Sequence, residues 1–325
     1  MIDAAVIGLG RWGKNIVEAV QGKSKRLRIV RGVSKEPHQV AEFASAKGFE
    51  LSSELEPALA DRRVQAVILA TPHSLHVQQI VAVAGVGKPV WCEKPLALTR
   101  AEAKRAVDAC RAAGVPLALG NNKRCFPCMR ELKRVVESGV IGEILHIEGH
   151  FSNEHSTRVG GGWRDDPRES PGGGMTGAGL HVLDAFVHLA GPIRRVQAQF
   201  HGRKSPPDPR DVAAAMVQFE TGATGLLATV RAAPMFWRIH VFGTKGSAEA
   251  RGENSLTLEL IGAGSETKVF PPDDSLALLL EAFAETVETG KPFPVSTAEM
   301  LEVVGAFEAT IRSIDGGGPV DVASG

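Results

Sequence analysis

The chain of 325 residues contains no tyrosine. This excludes enzymes that use a tyrosine side chain as their acid, among them the short-chain dehydrogenases and the aldo-keto reductases. Any proton that a reaction releases or consumes has to be handled by a histidine, a lysine or a carboxylate.

Excess charge and long apolar segments are also missing. The 37 basic and 37 acidic side chains cancel, so no overall basic field attracts nucleic acid or an anionic membrane. No apolar run approaches the roughly 20 residues that span a bilayer, and the first residues lack the pattern of a signal peptide. We expect a cytoplasmic protein with neither a nucleic-acid nor a membrane partner.

Cysteine is scarce, with four residues in the chain, which fits a reducing compartment better than a disulfide framework. Cys125 and Cys128 form a single C-x-x-C that lacks a second pair and a nearby histidine. Two small apolar residues at the start of a helix are therefore favoured over a redox pair or a zinc site. No metal is predicted.

A glycine-rich turn is the most informative feature that the chain does contain. Gly8, Gly10 and Gly13 follow an apolar run, Ala4–Ile7, and lead into a stretch with a helical apolar stripe. In a strand–turn–helix of this kind, the first glycine permits the tight turn and the second lets a pyrophosphate approach the backbone. The third lets helix and strand pack closely. The turn, with Arg11 and Trp12 inside it, predicts a dinucleotide site.

The length of the chain exceeds what one core fills, so we predict two domains, residues 1–121 and 122–325. In the first, strands alternate with helices, which is typical of an α/β Rossmann domain with a parallel sheet. Its predicted strands are residues 3–7, 28–33, 65–70, 89–92 and 116–119. In the second, seven strand-like runs between 193 and 270 accompany helices near 126–138, 175–190, 275–289 and 297–314. This pattern predicts an α+β domain with a large, mostly antiparallel open sheet.

Ligands of a parallel sheet bind beyond the carboxyl ends of its strands. After the third strand come Thr71, Pro72, His73 and His76, which either contact a cofactor or begin a helix with local hydrogen bonds. After the fourth come Glu93 and Lys94, followed by proline. The lysine can stabilise negative charge on a reacting oxygen, unless the pair only forms a surface turn.

The second strand ends without the acidic residue that an NAD site usually places on the ribose 2′-hydroxyl. Ser34 and Lys35 stand there instead. They can bind a 2′-phosphate, so NADP(H) is favoured over NAD(H). In the other interpretation, Ser34 caps a helix and Lys35 is solvated.

The helix predicted near 175–190 carries His181, Asp184 and His188 on one face. The three residues fit a metal site, a structural hydrogen-bonded cluster, or a catalytic histidine oriented by a carboxylate. Because a glycine-rich loop that could admit substrate precedes His181, we favour the catalytic interpretation.

Taken together, the motifs resemble the glucose–fructose oxidoreductase/inositol dehydrogenase (Gfo/Idh/MocA) family over nearly the whole chain. They are Gly8-x-Gly10-x-x-Gly13, Ala70-Thr71-Pro72, Glu93-Lys94-Pro95, Lys123-Arg124 before Pro127, Ile141-Gly142-Glu143-Ile144 and Gly179-Leu180-His181-x-x-Asp184. The resemblance implies hydride transfer between a nicotinamide cofactor and a hydroxyl carbon of a sugar, cyclitol or related polyol. It also implies a homodimer or homotetramer formed through the open sheet.

The same resemblance assigns the family's lysine to Lys94 and its catalytic histidine to His181. Arg124, Trp163 and Arg164 fall where the family commonly contacts cofactor or substrate. One position departs from the pattern, because many members carry aspartate where this chain has Gly177. Either Lys94 and His181 suffice, or Asp184 takes over the orienting role, or the substrate is not a simple polyol. A sensor without turnover and a redox-neutral enzyme with tightly held NAD remain alternatives.

Overall fold

The computed structural model of the protein describes residues 1–153, 162–202, 212–231 and 233–323. The chain forms two compact units, one of Met1–Asn122 with Asp274–Met300 and one of Lys123–Asp273 with Leu301–Gly325. The division differs from the expected 1–121 and 122–325 at residues 274–300, which belong with the first unit.

The first unit is built on a parallel sheet of six strands in the order β3-β2-β1-β4-β5-β6. This is the doubly wound order of a dinucleotide-binding fold. Its strands are β1 (Ile2–Ile7), β2 (Leu27–Val33), β3 (Glu50–Ser52), β4 (Ala66–Leu69), β5 (Val90–Cys92) and β6 (Leu117–Leu119). Its first five helices are α1 (Arg11–Val20), α2 (Ala41–Lys47), α3 (Glu56–Ala60), α4 (His76–Gly85) and α5 (Arg100–Ala113).

Helix boundaries in this unit follow local sequence signals. The N-terminus of α5 is capped by Thr99, whose side chain accepts a hydrogen bond from the backbone of Glu102. Gly114 ends the same helix in the left-handed conformation. The core strand β4 is buried along its whole length, as expected for a strand covered on both faces.

The helix α8 (Ser275–Thr289) completes the first unit by packing against α1 and β2. Leu279, Leu280 and Phe283 on this helix are fully buried. Its end is also tied to the unit by an ion pair between Arg26 and Glu288 at 2.7 Å. The apolar stripe of α8 is visible in the sequence, but a stripe does not specify which core it covers, and this explains the difference in the domain boundary.

The second unit contains a sheet of nine strands in the order β14-β13-β12-β11-β7-β10-β9-β8-β15. All neighbours are antiparallel except β10 and β7, which pair in parallel, so the predicted mostly antiparallel open sheet is confirmed. The strands are β7 (Ile144–Ser152), β8 (Ile193–His201), β9 (Val212–Phe219), β10 (Thr224–Val230), β11 (Phe236–Gly243), β12 (Gly246–Arg251), β13 (Ser255–Leu260), β14 (Gly264–Val269) and β15 (Val320–Asp321).

Helices α6 (Pro127–Glu137) and α7 (Leu180–Ala190) contact this sheet, and the chain ends after α9 (Thr297–Gly316). The close approach of α7 requires Gly149 on β7, because a Cβ atom there would overlap Val182 and Phe186 of the helix. Helix α7 begins later than the predicted residue 175, since Met175–Gly179 form a π-helical turn ahead of it.

Within the described ranges, no helix has the combination of length and apolar character needed to cross a bilayer. They also contain no cluster of three or more histidine, cysteine, aspartate or glutamate side chains that could hold a metal ion.

Candidate active site

The glycine turn has the geometry of a pyrophosphate cradle. Gly8 adopts φ +93°, and a Cβ atom on it would lie 2.6 Å from the carbonyl oxygen of Ala70. A Cβ atom on Gly13 would overlap the carbonyl oxygen of Gly8, so strand and helix can pack at this distance only with glycine there. By contrast, apart from its chain neighbours, no atom in the described part of the chain lies within 4 Å of the Cβ position of Gly10. The packing thus requires two of the glycines, and the third faces open space.

The helix behind this open space is prepared for an anion. Helix α1 starts at Arg11, its N-cap residue Gly10 offers no side-chain acceptor, and its first turn contains no acidic residue. Backbone N–H groups at such a terminus carry partial positive charge and attract phosphate. The residues present therefore fit the pyrophosphate of a dinucleotide.

At the end of β2, Ser34 accepts a hydrogen bond from the backbone N–H of Glu36 at 3.3 Å. This turn matches the local interpretation of Ser34, although a hydroxyl that accepts one bond can still donate its hydrogen. Lys35 and Glu36 are exposed. Recognition of a 2′-phosphate by Ser34 and Lys35 thus stays a prediction.

His76 is fully buried between the loops that follow β4 and β5. Its Nδ1 lies 2.7 Å from the carbonyl oxygen of Pro95, and its Nε2 lies 3.1 Å from that of Thr71. Thr71 in turn donates to Gln79 at 2.6 Å. Since both ring nitrogens contact the backbone, His76 joins the two loops, which matches the interpretation of local hydrogen bonds. A contact of His76 with a cofactor stays a prediction.

Lys94 follows β5 at the carboxyl edge of the sheet, where the prediction placed it. Glu93 before it is buried, and the Lys94 backbone N–H donates to the Glu93 carboxylate at 3.2 Å. A Cβ atom on Gly120, after the neighbouring β6, would lie 2.8 Å from the Trp91 ring and 3.1 Å from Glu93. The glycine therefore leaves the room that the buried carboxylate occupies.

In the second unit, Asp184 belongs to a buried ion pair. Both of its oxygens accept from Arg124, at 2.9 and 2.7 Å, and the two side chains are only 1% and 3% exposed. Arg124 also donates to His188 Nδ1 at 3.1 Å. All three nitrogens of the guanidinium are thus used to hold residues of α7. This arrangement favours a structural cluster for Asp184 and His188. An orienting role of Asp184 toward His181 and a contact of Arg124 with substrate stay predictions.

His181 occupies the first turn of α7 and is 6% exposed. Its ring lies edge to face with Phe151 of β7, with the ring centres 5.7 Å apart. The π-helical turn Met175–Gly179 directly precedes it, and such irregular turns recur at functional sites. Gly177 in this turn is exposed, and no atom of the described residues lies within 4 Å of its Cβ position, its chain neighbours aside. A carboxylate would have room at position 177, but this chain has none there.

Lys123 is a candidate that the sequence reasoning named only as part of a motif. Its ammonium lies 4.2 Å from the centre of the Phe126 ring and 5.2 Å from that of Phe151, the same ring that contacts His181. Burial lowers the pKa of Lys123 to about 8, although the carboxylate of Glu253 acts in the opposite direction. The spacing of Lys123 and Phe126, three residues apart before a helix, was the available signal.

Trp163 and Arg164 stand in a short 3₁₀ turn, with the guanidinium 4.2 Å above the indole ring. The glycine-rich loop that precedes His181 in the sequence includes Gly160 and Gly161, which fall in the stretch 154–161 outside the described residues. The role of Trp163 and Arg164 toward a substrate therefore remains a prediction.

The C-x-x-C pair has the character of small apolar residues. Burial raises the pKa of Cys125 to about 11 and that of Cys128 to about 12, so the reactive thiolates are suppressed at neutral pH. Cys128 also packs at the start of α6, where its thiol donates to the carbonyl of Gly252 at 3.4 Å.

Comparison with known proteins places these features in a wider group. Residues 2–121 match the GFO_IDH_MocA oxidoreductase family with an NAD-binding Rossmann fold, and residues 129–249 match the GFO/IDH/MocA C-terminal domain. The scyllo-inositol 2-dehydrogenase (NAD⁺) of Bacillus subtilis is 29% identical over 99% of this chain and 96% of that protein.

Two further likenesses differ in extent. An uncharacterised oxidoreductase of Schizosaccharomyces pombe is 32% identical over 47% of this chain, a stretch that spans 41% of that protein. The solved structure of levoglucosan dehydrogenase in complex with NADH and L-sorbose superposes with a TM-score of 0.90 at 24% identity and covers 99% of both chains. The last likeness shows that the fold is shared along the chain.

Proposed function

Because this chain belongs to the Gfo/Idh/MocA oxidoreductase family, we propose that it oxidises a hydroxyl carbon of a sugar, cyclitol or related polyol with a nicotinamide cofactor, or catalyses the reverse reduction. The observation that carries the proposal is the cradle at the start of α1. Gly8 and Gly13 are required by packing, while Gly10 leaves open space before an uncapped helix terminus. Further support comes from the scyllo-inositol 2-dehydrogenase, which is similar over almost its whole length.

The proposed roles of the side chains follow from the chemistry of an alcohol. The cofactor, when bound, supplies the acceptor or donor of the hydride. In the oxidation, the hydroxyl hydrogen leaves as a proton, and we assign its acceptance to the imidazole of His181. The ammonium of Lys94 donates a hydrogen bond to the same oxygen and stabilises the negative charge that develops on it.

Other side chains of the proposed site act at a distance from the reacting atoms. Arg124, Asp184 and His188 fix α7, on which His181 stands, and His76 fixes the loops that carry Thr71 and Pro95. We call these positioning residues, because their polar atoms contact the protein itself.

Turnover measurements with single variants test the proposal. The purified protein is titrated with NADH and NADPH, and then assayed with either oxidised cofactor on a panel of sugars and cyclitols. With a substrate found in this way, His181→Ala should lower turnover roughly 10²–10⁴-fold, the range typical of a positioned acid–base group. Lys94→Ala should lower it about 10²–10³-fold, the usual effect of losing one such donor. Both variants should bind the cofactor as the parent does.

Two results would contradict the dehydrogenase assignment. Tight cofactor binding without any change of its oxidation state across the panel would indicate a sensor. Conversion of a substrate by a cofactor that survives dialysis, with no net oxidation or reduction, would indicate a redox-neutral enzyme.

The choice between NADP(H) and NAD(H) is a separate proposal, in which Ser34 donates to a 2′-phosphate and Lys35 pairs with its charge. Ser34→Asp should shift the affinity ratio toward NAD(H) by about tenfold or more, because a carboxylate repels the phosphate and accepts from a 2′-hydroxyl. The exposed Ser45 on α2 gives the matched control, Ser45→Asp, which should leave the ratio unchanged. A parent protein that prefers NAD(H), with a ratio insensitive to Ser34→Asp, would overturn the proposal.

A further inference from the structure

Lys123 has an environment that differs from that of an ordinary surface lysine. Its ammonium lies against the faces of Phe126 and Phe151, at 4.2 and 5.2 Å from the ring centres. Neither a hydrogen-bond acceptor nor a carboxylate within salt-bridge distance contacts this ammonium among the residues that the structure describes. The rings attract the cation, but Lys123 is half-buried and an anion stabilises an ammonium more strongly than a ring does.

The described side chains around Lys123 provide no buried negative charge to balance its ammonium. Phe151 connects it to His181, whose ring lies 5.7 Å from the Phe151 ring. Cys128 on α6 and the exposed Glu253 after β12 are the titratable groups that act on the lysine. The neighbouring Arg124 is already neutralised by its bidentate pair with Asp184. Lys123 therefore contributes a positive charge that no buried carboxylate described in the second unit balances.

Gly177 also leaves the positive charge of Lys123 unbalanced. The π-helical turn before His181 has room for a carboxylate at position 177, and the glycine supplies no charge. A substrate that approaches His181 thus meets the cation of Lys123 without an acidic side chain from this turn. A neutral polyol gains little from such a charge, whereas an anionic substrate supplies the missing partner.

We propose that the Lys123 ammonium binds a carboxylate on the substrate, and that the natural substrate is a sugar acid or another polyhydroxy acid rather than a neutral polyol. This inference rests on the proposed function, because it needs His181, which contacts the same Phe151 ring as Lys123, to act on the hydroxyl group. It explains why the family's aspartate is absent here, since a carboxylate at position 177 would repel an acidic substrate.

Binding of matched acid and alcohol pairs tests the proposal. The full-length protein, saturated with NADH or NADPH so that a hydroxyl cannot be oxidised, is titrated calorimetrically with D-gluconate and D-glucitol, and with D-galactonate and galactitol. For at least one pair the acid should bind about tenfold more tightly than its alditol. Lys123→Met should remove this preference and change alditol binding less than twofold. Lys123→Arg should retain part of it.

The control and the pH dependence separate a site from a general charge effect. Lys245→Met removes an exposed lysine of the same unit and should leave the acid preference unchanged. In the parent protein, the affinity for the acid should fall as the pH rises through about 8, because the lysine loses its charge there. Lys123→Met should show no such fall. Far-UV circular dichroism and thermal unfolding confirm that each variant is folded.

The outcomes distinguish this inference from the proposed function. A Lys123-dependent preference for acids, without turnover of any substrate, would support the inference and contradict the dehydrogenase assignment. Turnover of neutral polyols with equal affinity for acids, or an acid preference that survives Lys123→Met, would overturn the inference and leave the dehydrogenase assignment intact. The absence of both binding and turnover would contradict both.

Discussion

The glycines of the cradle differ in what they exclude, although the sequence motif treats them alike. At position 13 glycine is needed for packing within the protein, since a Cβ atom there would overlap the Gly8 carbonyl. At position 10 the packing among the described residues does not require glycine, because the Cβ position is open. The order and type of the residues identify the turn, but only the three-dimensional structure separates the packing role of Gly13 from the proposed ligand role of Gly10.

Alanine substitutions at these glycines should therefore affect different measurements. Gly10→Ala should leave thermal unfolding almost unchanged, because its φ of −70° suits alanine, and should weaken NAD(H) or NADP(H) binding about tenfold or more. Gly13→Ala should destabilise the protein by about 1–3 kcal/mol, the usual cost of overpacking a tight contact. Unfolding curves and calorimetric titration of both variants check this, and the idea is lost if Gly10→Ala binds both cofactors as the parent does.

Residue-level chemistry could be predicted only where it follows from local order. Lys94 and His181 stand at the carboxyl end of a strand and in the first turn of a helix, so their placement was predictable from the pattern around them. The partner of Asp184 was not, because Arg124 lies 60 positions away in the chain. Periodicity places Asp184 and His181 on one helix face, yet it does not show which side chain from another element reaches the carboxylate.

At the scale of elements, the ion pair between Arg124 and Asp184 joins the segment before α6 to α7. Asp184→Asn should leave the Arg124 cation buried without its carboxylate and destabilise the protein by about 3–5 kcal/mol. Replacing both residues with leucine should cost much less than this, because an apolar pair leaves no unbalanced charge. Urea unfolding of Asp184→Asn, of the double leucine variant and of the exposed control Asp108→Asn checks the prediction. Equal losses in Asp184→Asn and in the exposed control Asp108→Asn would show that the buried pair has no special weight.

The elements themselves were largely predictable, and the exceptions have physical causes. Alternating burial marks strands such as β9 and β10, while β3 has only three residues and too little pattern to detect. The π-helical turn Met175–Gly179 was predicted as regular helix, because apolar spacing does not distinguish one extra residue in a turn. The assignment of α8 to the first unit depends on packing over a long sequence separation, which no local window contains.

At the scale of the whole molecule, the large sheet exposes apolar side chains of β9 and β10 on one face, among the residues that the structure describes. Side chains pointing to this face form a row across the strands, in which Met216 pairs with Leu226, and Leu226 lies beside Glu148. Met216 is 57% exposed and Leu226 is 45% exposed. Together with polar neighbours they line a groove of about 480 Å³. Contiguous exposed apolar surface rimmed by polar groups is typical of an interaction site.

The rest of the row carries balanced charge, which suits contact between identical faces. Arg238 contacts Glu148 at 3.0 Å and Glu249 at 2.6 Å, so this half of the face has its own ion pairs and does not need a partner of opposite charge. A two-fold axis through such a face brings the apolar half of one copy near the corresponding residues of the other. We propose that the protein forms a homodimer through this face, and that a homotetramer, if formed, contains this dimer together with a second interface.

A charge in the apolar half should therefore prevent assembly without unfolding the protein. Leu226→Glu would place a carboxylate, next to Glu148, in a surface that two copies desolvate, and a stable interface of this kind buries about 800 Å² on each copy. We expect the mass from light scattering to fall to half of the parent mass, which for a dimer is that of a 34.4 kDa monomer, while circular dichroism stays unchanged. Ile261→Glu, in the exposed turn after β13, is the matched control and should leave the mass of the oligomer unaltered. If the parent protein is monomeric, or if Leu226→Glu assembles like the parent, this face of the sheet is not the interface.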